Sequence, residues 1–166
     1  MYDLMIIGSG PAGISAALTA KARNLNFIWF GSRALSTKIE KAEKIMNYPG
    51  LPAVTGSEMQ SVFLKQIDDC GITITESQVN SIYDCGGYFA AGADNEIYEA
   101  KAVIMTVGMT TTREIEGEAR LLGCGVSYCA TCDGALYKNK DIAVICASPK
   151  FEDAVTFLAG LANHIY

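Results

Sequence analysis

The stretch Leu4-Met5-Ile6-Ile7-Gly8-Ser9-Gly10-Pro11-Ala12-Gly13 decides the fold. Residues 4–7 are a short apolar run suited to a buried parallel strand. The three glycines have separate physical jobs. Gly8 permits the tight turn, Gly10 lets backbone approach a pyrophosphate, and Gly13 lets a helix pack closely on the strand. Ile14, Ala16, Ala17, Leu18, Ala20 and Ala22 suit such a helix, and Phe27-Ile28-Trp29-Phe30 reads as a second strand. Strand, G-x-G-x-x-G, helix and strand within about thirty residues make the dinucleotide-binding unit. In it, phosphate meets free N–H groups at a helix N-terminus. One expected feature is missing: the second strand runs into Gly31-Ser32-Arg33, with no Asp or Glu to bond a ribose. Ser32 or the backbone would have to substitute.

Farther along, Asn47-Tyr48-Pro49-Gly50-Leu51-Pro52 is a shaped loop, or simply a surface connection. Thr55-Gly56-Ser57 starts a helix, with Ser57 and Gln60 in capping-box spacing. Met59, Val62, Phe63 and Ile67 form its expected core stripe. Gly71 stops it, and residues 72–75 read as a strand. Residues 79–83, 88–91 and 96–100 alternate as a small antiparallel sheet, with turns at Gly86-Gly87 and Asp94-Asn95. Residues 101–107 return to a buried strand ending at Gly108, and residues 110–123 are a polar crossover. Ile142-Ala143-Val144-Ile145 is another buried strand. A helix with Phe151, Ala154, Val155, Leu158 and Ala159 at helical spacing follows it, then the start of one more strand at Asn163-His164-Ile165-Tyr166. The fold class is therefore α/β. A Rossmann-like domain carrying a small antiparallel sheet occupies residues 1–112, and the start of a second dinucleotide-fold domain occupies residues 113–166.

The chemistry concentrates in Gly125-Val126-Ser127-Tyr128-Cys129-Ala130-Thr131-Cys132-Asp133-Gly134. Two thiols three positions apart close a small reducible disulfide, and an adjacent acid can move the protons of thiol–disulfide exchange. Cys-x-x-Cys is also metal spacing. A zinc site wants four ligands, however, and Cys70, Cys85, Cys124, Cys146 and His164 are scattered. The pattern favours redox, with no metal.

Composition narrows the rest. Of 166 residues 50% are hydrophobic, enough for an ordinary core, and the net charge of −5 leaves no footprint for nucleic acid. No apolar run reaches membrane-spanning length. The N-terminal run reads as a strand feeding a turn rather than a signal peptide. The expected compartment is the cytoplasm, where six cysteines read as reduced thiols with one redox-active pair.

Over its whole length the sequence resembles the low-molecular-weight flavoprotein thioredoxin reductases. The residues that carry the resemblance are Gly8 to Gly13, Asn47-Tyr48-Pro49-Gly50, Thr55-Gly56-Ser57-Glu58, Thr106-Val107-Gly108, Gly117-Glu118 and, most specifically, Gly125 to Gly134. The resemblance implies that the first domain binds FAD. The implied contacts are Gly8, Ser9, Gly10, Pro11, Ala12, Gly13, Ser32, Asn47, Val79, Thr106, Val107 and Gly108. It implies that Cys132 sits nearer the flavin, Cys129 attacks the disulfide of thioredoxin, and Asp133 is the acid–base. It implies a homodimer when full length. Such reductases also have a complete second dinucleotide domain and a C-terminal segment that returns to the FAD domain, so this chain reads as the N-terminal part of a longer protein.

The donor turn departs from the family. Where it has a second G-x-G-x-x-A, this chain has Cys146-Ala147-Ser148-Pro149-Lys150-Phe151. Side chains fill space that pyrophosphate would share, and Pro149 removes an N–H donor. Ser148 and Pro149 still make a good N-cap and first helical residue. Phe151 is expected to turn inward and plug the space beside the strand. This pattern resembles the ferredoxin-dependent flavin thioredoxin reductases. A ferredoxin at about −400 mV and thioredoxin at about −270 mV leave roughly 6 kcal/mol over two electrons. Lys38, Lys41 and Lys44 are candidate docking cations, or a solvated segment interleaved with Glu40 and Glu43. The alternatives are an NADPH-dependent reductase with an unusual turn and a non-catalytic flavin-binding redox sensor.

Overall fold

Tyr2–Ile7 forms β1, and Leu4, Met5, Ile6 and Ile7 are all buried. A strand without polar alternation is what a parallel sheet covered on both faces requires. The structure, a computed structural model, describes residues 1–108, 115–146 and 148–166. Helix α1 (Pro11–Ala22) buries Gly13, Ile14, Ala17 and Ala20 along one face. Strand β2 (Phe27–Phe30) runs parallel to β1, pairing Leu4 with Phe27 through Ile7 with Phe30. The short α2 (Thr37–Glu40) and the longer α3 (Gly56–Asp69) precede β3 (Val79–Asp84), β4 (Phe89–Ala93) and β5 (Glu96–Met105). The five strands form one sheet in the order β2-β1-β5-β4-β3.

Strand β5 joins the two halves of this sheet. Its first half pairs antiparallel with β4, from Glu96 opposite Ala93 to Ala100 opposite Phe89. Its second half pairs parallel with β1, ending at Met105 opposite Ile7. The expected antiparallel strands therefore form, but residues 96–100 and 101–105 are one continuous strand rather than two. Met5, Ile7, Ile28, Phe30, Ala91, Ala93 and Ala100 make a single buried cluster across all four of the strands β1, β2, β4 and β5. The Tyr98 ring stands edge-on to Phe30 at 5.0 Å. Each large side chain so buried contributes roughly 1.5–3 kcal/mol.

Three local expectations change. Residues 72–75 form no strand; Ile72 and Ile74 are buried, but only Thr75 bridges β2, opposite Phe30. Helix α3 starts at Gly56, so Ser57 lies inside its first turn, and the Gln60 amide donates to the carbonyls of Ala34 (3.1 Å) and Ser36 (2.6 Å). The capping box is not what Gln60 serves. Met59, Phe63 and Ile67 are buried at spacings of four, while Val62 is 45% exposed and lies off that stripe.

The chain divides into two compact units, residues 1–40 with 58–112 and residues 41–57 with 113–166. The expected boundary between residues 112 and 113 lies outside the described residues. In the second unit, α4 (Glu118–Leu121) and α5 (Ala130–Asp133) are short, and a 3₁₀ turn follows at Gly134–Tyr137. Strand β6 (Asp141–Ile142), helix α6 (Glu152–Ala159) and strand β7 (His164–Ile165) make a β-α-β unit with parallel strands. A Cβ at Gly134 would lie 3.0 Å from the Phe157 ring and 3.3 Å or less from Leu158 and Leu161, so the 3₁₀ turn packs tightly against α6 and the residues after it. Strand β6 is shorter than the expected run of residues 142–145, and Ile145 is 74% exposed. Phe151 is 46% exposed and plugs nothing. Among the described residues no helix is long and apolar enough to cross a membrane.

Candidate functional site

The glycine turn of the first unit is held from three sides. Gly8 has φ +113°, and a Cβ there would lie 2.3 Å from the Thr106 carbonyl oxygen. Thr106 Oγ1 lies 2.9 Å from the Ile7 carbonyl and 3.0 Å from that of Gly8, and Trp29 Nε1 donates to the Gly8 carbonyl at 2.9 Å. A Cβ at Gly13 would come within 2.0 Å of the Gly8 oxygen. Gly10 is different: nothing lies within 4 Å of its would-be Cβ. It is the N-cap of α1, and no side chain caps the helix. The N–H groups of Ala12 and Gly13 therefore have no partner within the helix, and Pro11 has none to offer. The first turn of α1 contains no acidic residue. An open space faced by free N–H groups, bounded by glycines that cannot be replaced without collision, fits the pyrophosphate of a dinucleotide.

Ser9 ties the turn to the end of β2. Its Oγ donates to the Leu35 carbonyl at 3.1 Å and accepts the Ser32 N–H at 2.9 Å. A Cβ at Gly31 would lie 2.5 Å from that of Ser9, so no larger residue fits directly after β2. Ser32 Oγ is engaged, accepting the Ala34 N–H at 3.1 Å and facing Glu76 Oε1 at 3.5 Å. Sequence reasoning missed Glu76, which arrives from 44 residues away. Val107 is 59% exposed and Gly108 has φ +67°. Val79 packs against the buried cluster of the sheet. Asn47 belongs to the second unit and is exposed.

In the second unit Cys129 and Cys132 form a disulfide, with Cα atoms 5.2 Å apart. Cys129 is the N-cap of α5, and its Sγ accepts the Cys132 N–H at 3.2 Å. Asp133 is half-buried at the end of the same helix, and Ser127 Oγ donates to its Oδ2 at 2.5 Å. Ser127 lies within the Gly125-to-Gly134 motif, and no residue-type signal marked it. Glu118 is buried; it accepts the Ile115 N–H at 2.6 Å and the hydroxyl of Tyr128, the neighbour of Cys129. The Tyr128 hydroxyl first, then the Ile115 amide, hold the Glu118 carboxyl below its ordinary range. The remaining described cysteines, Cys70, Cys85, Cys124 and Cys146, are free thiols.

The start of α6 contrasts with that of α1. Ser148 caps the preceding 3₁₀ turn by accepting the Lys150 N–H at 3.4 Å, Pro149 has no N–H, and Glu152 and Asp153 stand in the first turn of α6. Cys146, Ser148, Pro149, Glu152, Val155 and Thr156 line a groove of about 550 Å³ there. Pro149 lacks one donor, Ser148 takes another, and two carboxylates stand in the first turn of α6, where α1 has none, which disfavours an anion there. Ala147 lies outside the described residues. Lys41 and Lys44 are exposed, and the side chain of Lys38 is outside what the structure describes.

Residues 2–149 match the family model for pyridine nucleotide-disulphide oxidoreductases. The thioredoxin reductase of Bacillus subtilis (strain 168) is 30% identical over 99% of this chain and 52% of its own length. That of Ureaplasma parvum serovar 3 is 32% identical, over 100% of this chain and 54% of its own. The chain thus spans about half the length of these curated relatives. Among solved structures, a ferredoxin-flavin thioredoxin reductase from Clostridium acetobutylicum is 44% identical with a TM-score of 0.66, covering 99% of this chain and 57% of that one. A thioredoxin reductase from Streptococcus pyogenes is 32% identical with a TM-score of 0.82, covering 99% and 54%.

Proposed function

Because the chain belongs to the pyridine nucleotide-disulphide oxidoreductase family, as a relative of the low-molecular-weight thioredoxin reductases, we propose that it is the N-terminal part of a thioredoxin-disulfide reductase whose electron donor is reduced ferredoxin. The observation that carries the disulfide reductase reading is the Cys129–Cys132 disulfide with Asp133 at the end of the same short helix. Members of the family are FAD-binding flavoproteins, and bound FAD would supply the electron relay between donor and disulfide. The residues that would hold it are Gly8, Ser9, Gly10, Ala12 and Gly13, with Thr106 keeping the turn closed behind them. Reduction of the Cys129–Cys132 bond takes two electrons and two protons and leaves two thiols. The Cys129 thiolate then attacks the thioredoxin disulfide, forming a mixed disulfide and releasing one thioredoxin thiolate to be protonated. Cys132 displaces the second thioredoxin sulfur and closes the original bond. Asp133, held by Ser127, takes and returns the proton in this exchange. The four free thiols support a reducing compartment, the cytoplasm.

Two observations support ferredoxin as donor. The turn before α6 has lost one N–H to Pro149 and another to Ser148, and the first turn of α6 carries Glu152 and Asp153, which disfavours a nucleotide pyrophosphate. The identity to the ferredoxin-flavin enzyme of Clostridium acetobutylicum is 44%, against 32% or less for the thioredoxin reductases above. The test is anaerobic flavin reduction in the full-length protein, followed by absorbance, with reduced ferredoxin, NADPH and NADH side by side. Fast reduction by ferredoxin and slow reduction by NADPH are expected, with thioredoxin turnover lost in Cys129→Ser and in Cys132→Ser. Rapid reduction by micromolar NADPH overturns the donor assignment; turnover in both serine variants overturns the dithiol assignment.

A further inference from the structure

Strand β2 ends without the acid that a dinucleotide-binding unit uses on its adenosine ribose, and the structure brings a carboxylate to that place from elsewhere. Residues 72–75 run alongside β2: the Thr75 N–H donates to the Trp29 carbonyl at 2.7 Å, and the Gly31 N–H to the Thr75 carbonyl at 3.1 Å. This single parallel bridge sets the next residue, Glu76, beside the end of β2. Glu76 Oε1 accepts the Arg33 N–H at 2.8 Å and faces Ser32 Oγ at 3.5 Å, while the Ser32 N–H in turn reaches Ser9 of the glycine turn. The Arg33 guanidinium does not neutralise it. That group is committed to Asp68 by contacts of 3.0 Å at both terminal nitrogens. Among the described residues Glu76 has no ion pair, and its Oε2 takes part in none of the hydrogen bonds. The result is an exposed, charged acceptor with one oxygen anchored to the backbone after β2 and the other open.

We propose that Glu76 is the ribose-binding acid of this dinucleotide site, its Oε2 accepting a hydroxyl of the adenosine ribose in place of the acid absent from Gly31-Ser32-Arg33. This rests on the reading that FAD binds at the glycine turn. It identifies the ligand as an adenine dinucleotide with an unmodified ribose. A 2′-phosphate would meet the Glu76 charge while the nearest arginine is held by Asp68. It also explains how Gly31 can be small: the carboxylate comes from a neighbouring segment, and the glycine is left to accommodate Ser9.

The experiment uses the full-length protein stripped of flavin. Kd is measured for FAD by flavin fluorescence, and for ADP, 2′-deoxy-ADP and 3′-deoxy-ADP by calorimetry, in wild type, Glu76→Ala and Glu76→Gln. Glu76→Gln keeps an oxygen for the Arg33 N–H, so its melting temperature should match wild type. Both variants should bind FAD about tenfold or more weakly, as expected for a lost charge-assisted hydrogen bond. Wild type should prefer ADP over at least one deoxy analogue, and Glu76→Ala should not discriminate. Wild-type FAD affinity in the variants, or weakened binding with the ADP preference intact, overturns the assignment while leaving FAD at the turn. A folded wild type that binds neither FAD nor ADP overturns the flavin reading, and this assignment with it.

Discussion

Ser127 Oγ donates to Asp133 Oδ2 across 2.5 Å and accepts the Cys129 N–H at 3.1 Å. One hydroxyl thus links the carboxylate after the dithiol to the backbone of its first cysteine. Ser127→Ala should slow thioredoxin reduction by roughly tenfold, the scale of one charge-assisted hydrogen bond. Ser127→Thr should restore most of it. Asp133→Asn should cost more, about 10²- to 10⁴-fold if proton transfer limits the rate. Stopped-flow reoxidation of the reduced dithiol by thioredoxin disulfide measures all three; equal rates for Ser127→Ala and wild type would remove Ser127 from the mechanism.

Gly10 and Gly13 separate cofactor binding from folding. Open space surrounds a Cβ at Gly10, so Gly10→Val should leave the melting temperature of the flavin-stripped protein nearly unchanged and abolish flavin retention. Gly13→Ala meets the Gly8 carbonyl oxygen at 2.0 Å and should destabilise the first unit itself, by about 1–3 kcal/mol. Flavin content as prepared, and thermal melts after flavin is stripped, distinguish the two.

Trp29 is the sole tryptophan, is 1% exposed, and donates to the Gly8 carbonyl. Its emission should therefore fall when FAD occupies the turn in the full-length protein. Trp29→Phe should lose about 1 kcal/mol of stability with the hydrogen bond. A titration with FAD that leaves tryptophan emission unchanged would speak against binding at Gly8 to Gly13.

Glu118 supplies a pH dependence in the second unit. Its carboxyl is held below its ordinary value of 4.5 by Tyr128 and the Ile115 amide. A depressed native value means stability that is fully present above about pH 4.5 and lost as pH falls through the native value. Glu118→Gln should flatten the acid limb of the unfolding curve and leave the neutral and alkaline limbs alike in shape. Denaturant melts below about pH 5 provide the comparison.

The glycine turn, the Cys129–Cys132 pairing and the α/β order of elements were legible in the sequence. Each depends on residues close together in the chain: a strand, a turn that only glycine permits, a helix, and two thiols within one helical turn. Partners distant in sequence came only from tertiary structure. Alternation of period two is the same on either side of Lys101, so nothing local said that β5 would continue from an antiparallel neighbour into a parallel one. Val62 and Phe151 fit an apolar stripe by count, yet the angle each presents depends on where its helix actually begins and what covers it. Above all, the missing acid after β2 could not be located by reading past Gly31. Glu76 reaches Ser32 across 44 positions because one bridge between Phe30 and Thr75 lays two segments side by side, and a side chain's partners are set by that proximity in space.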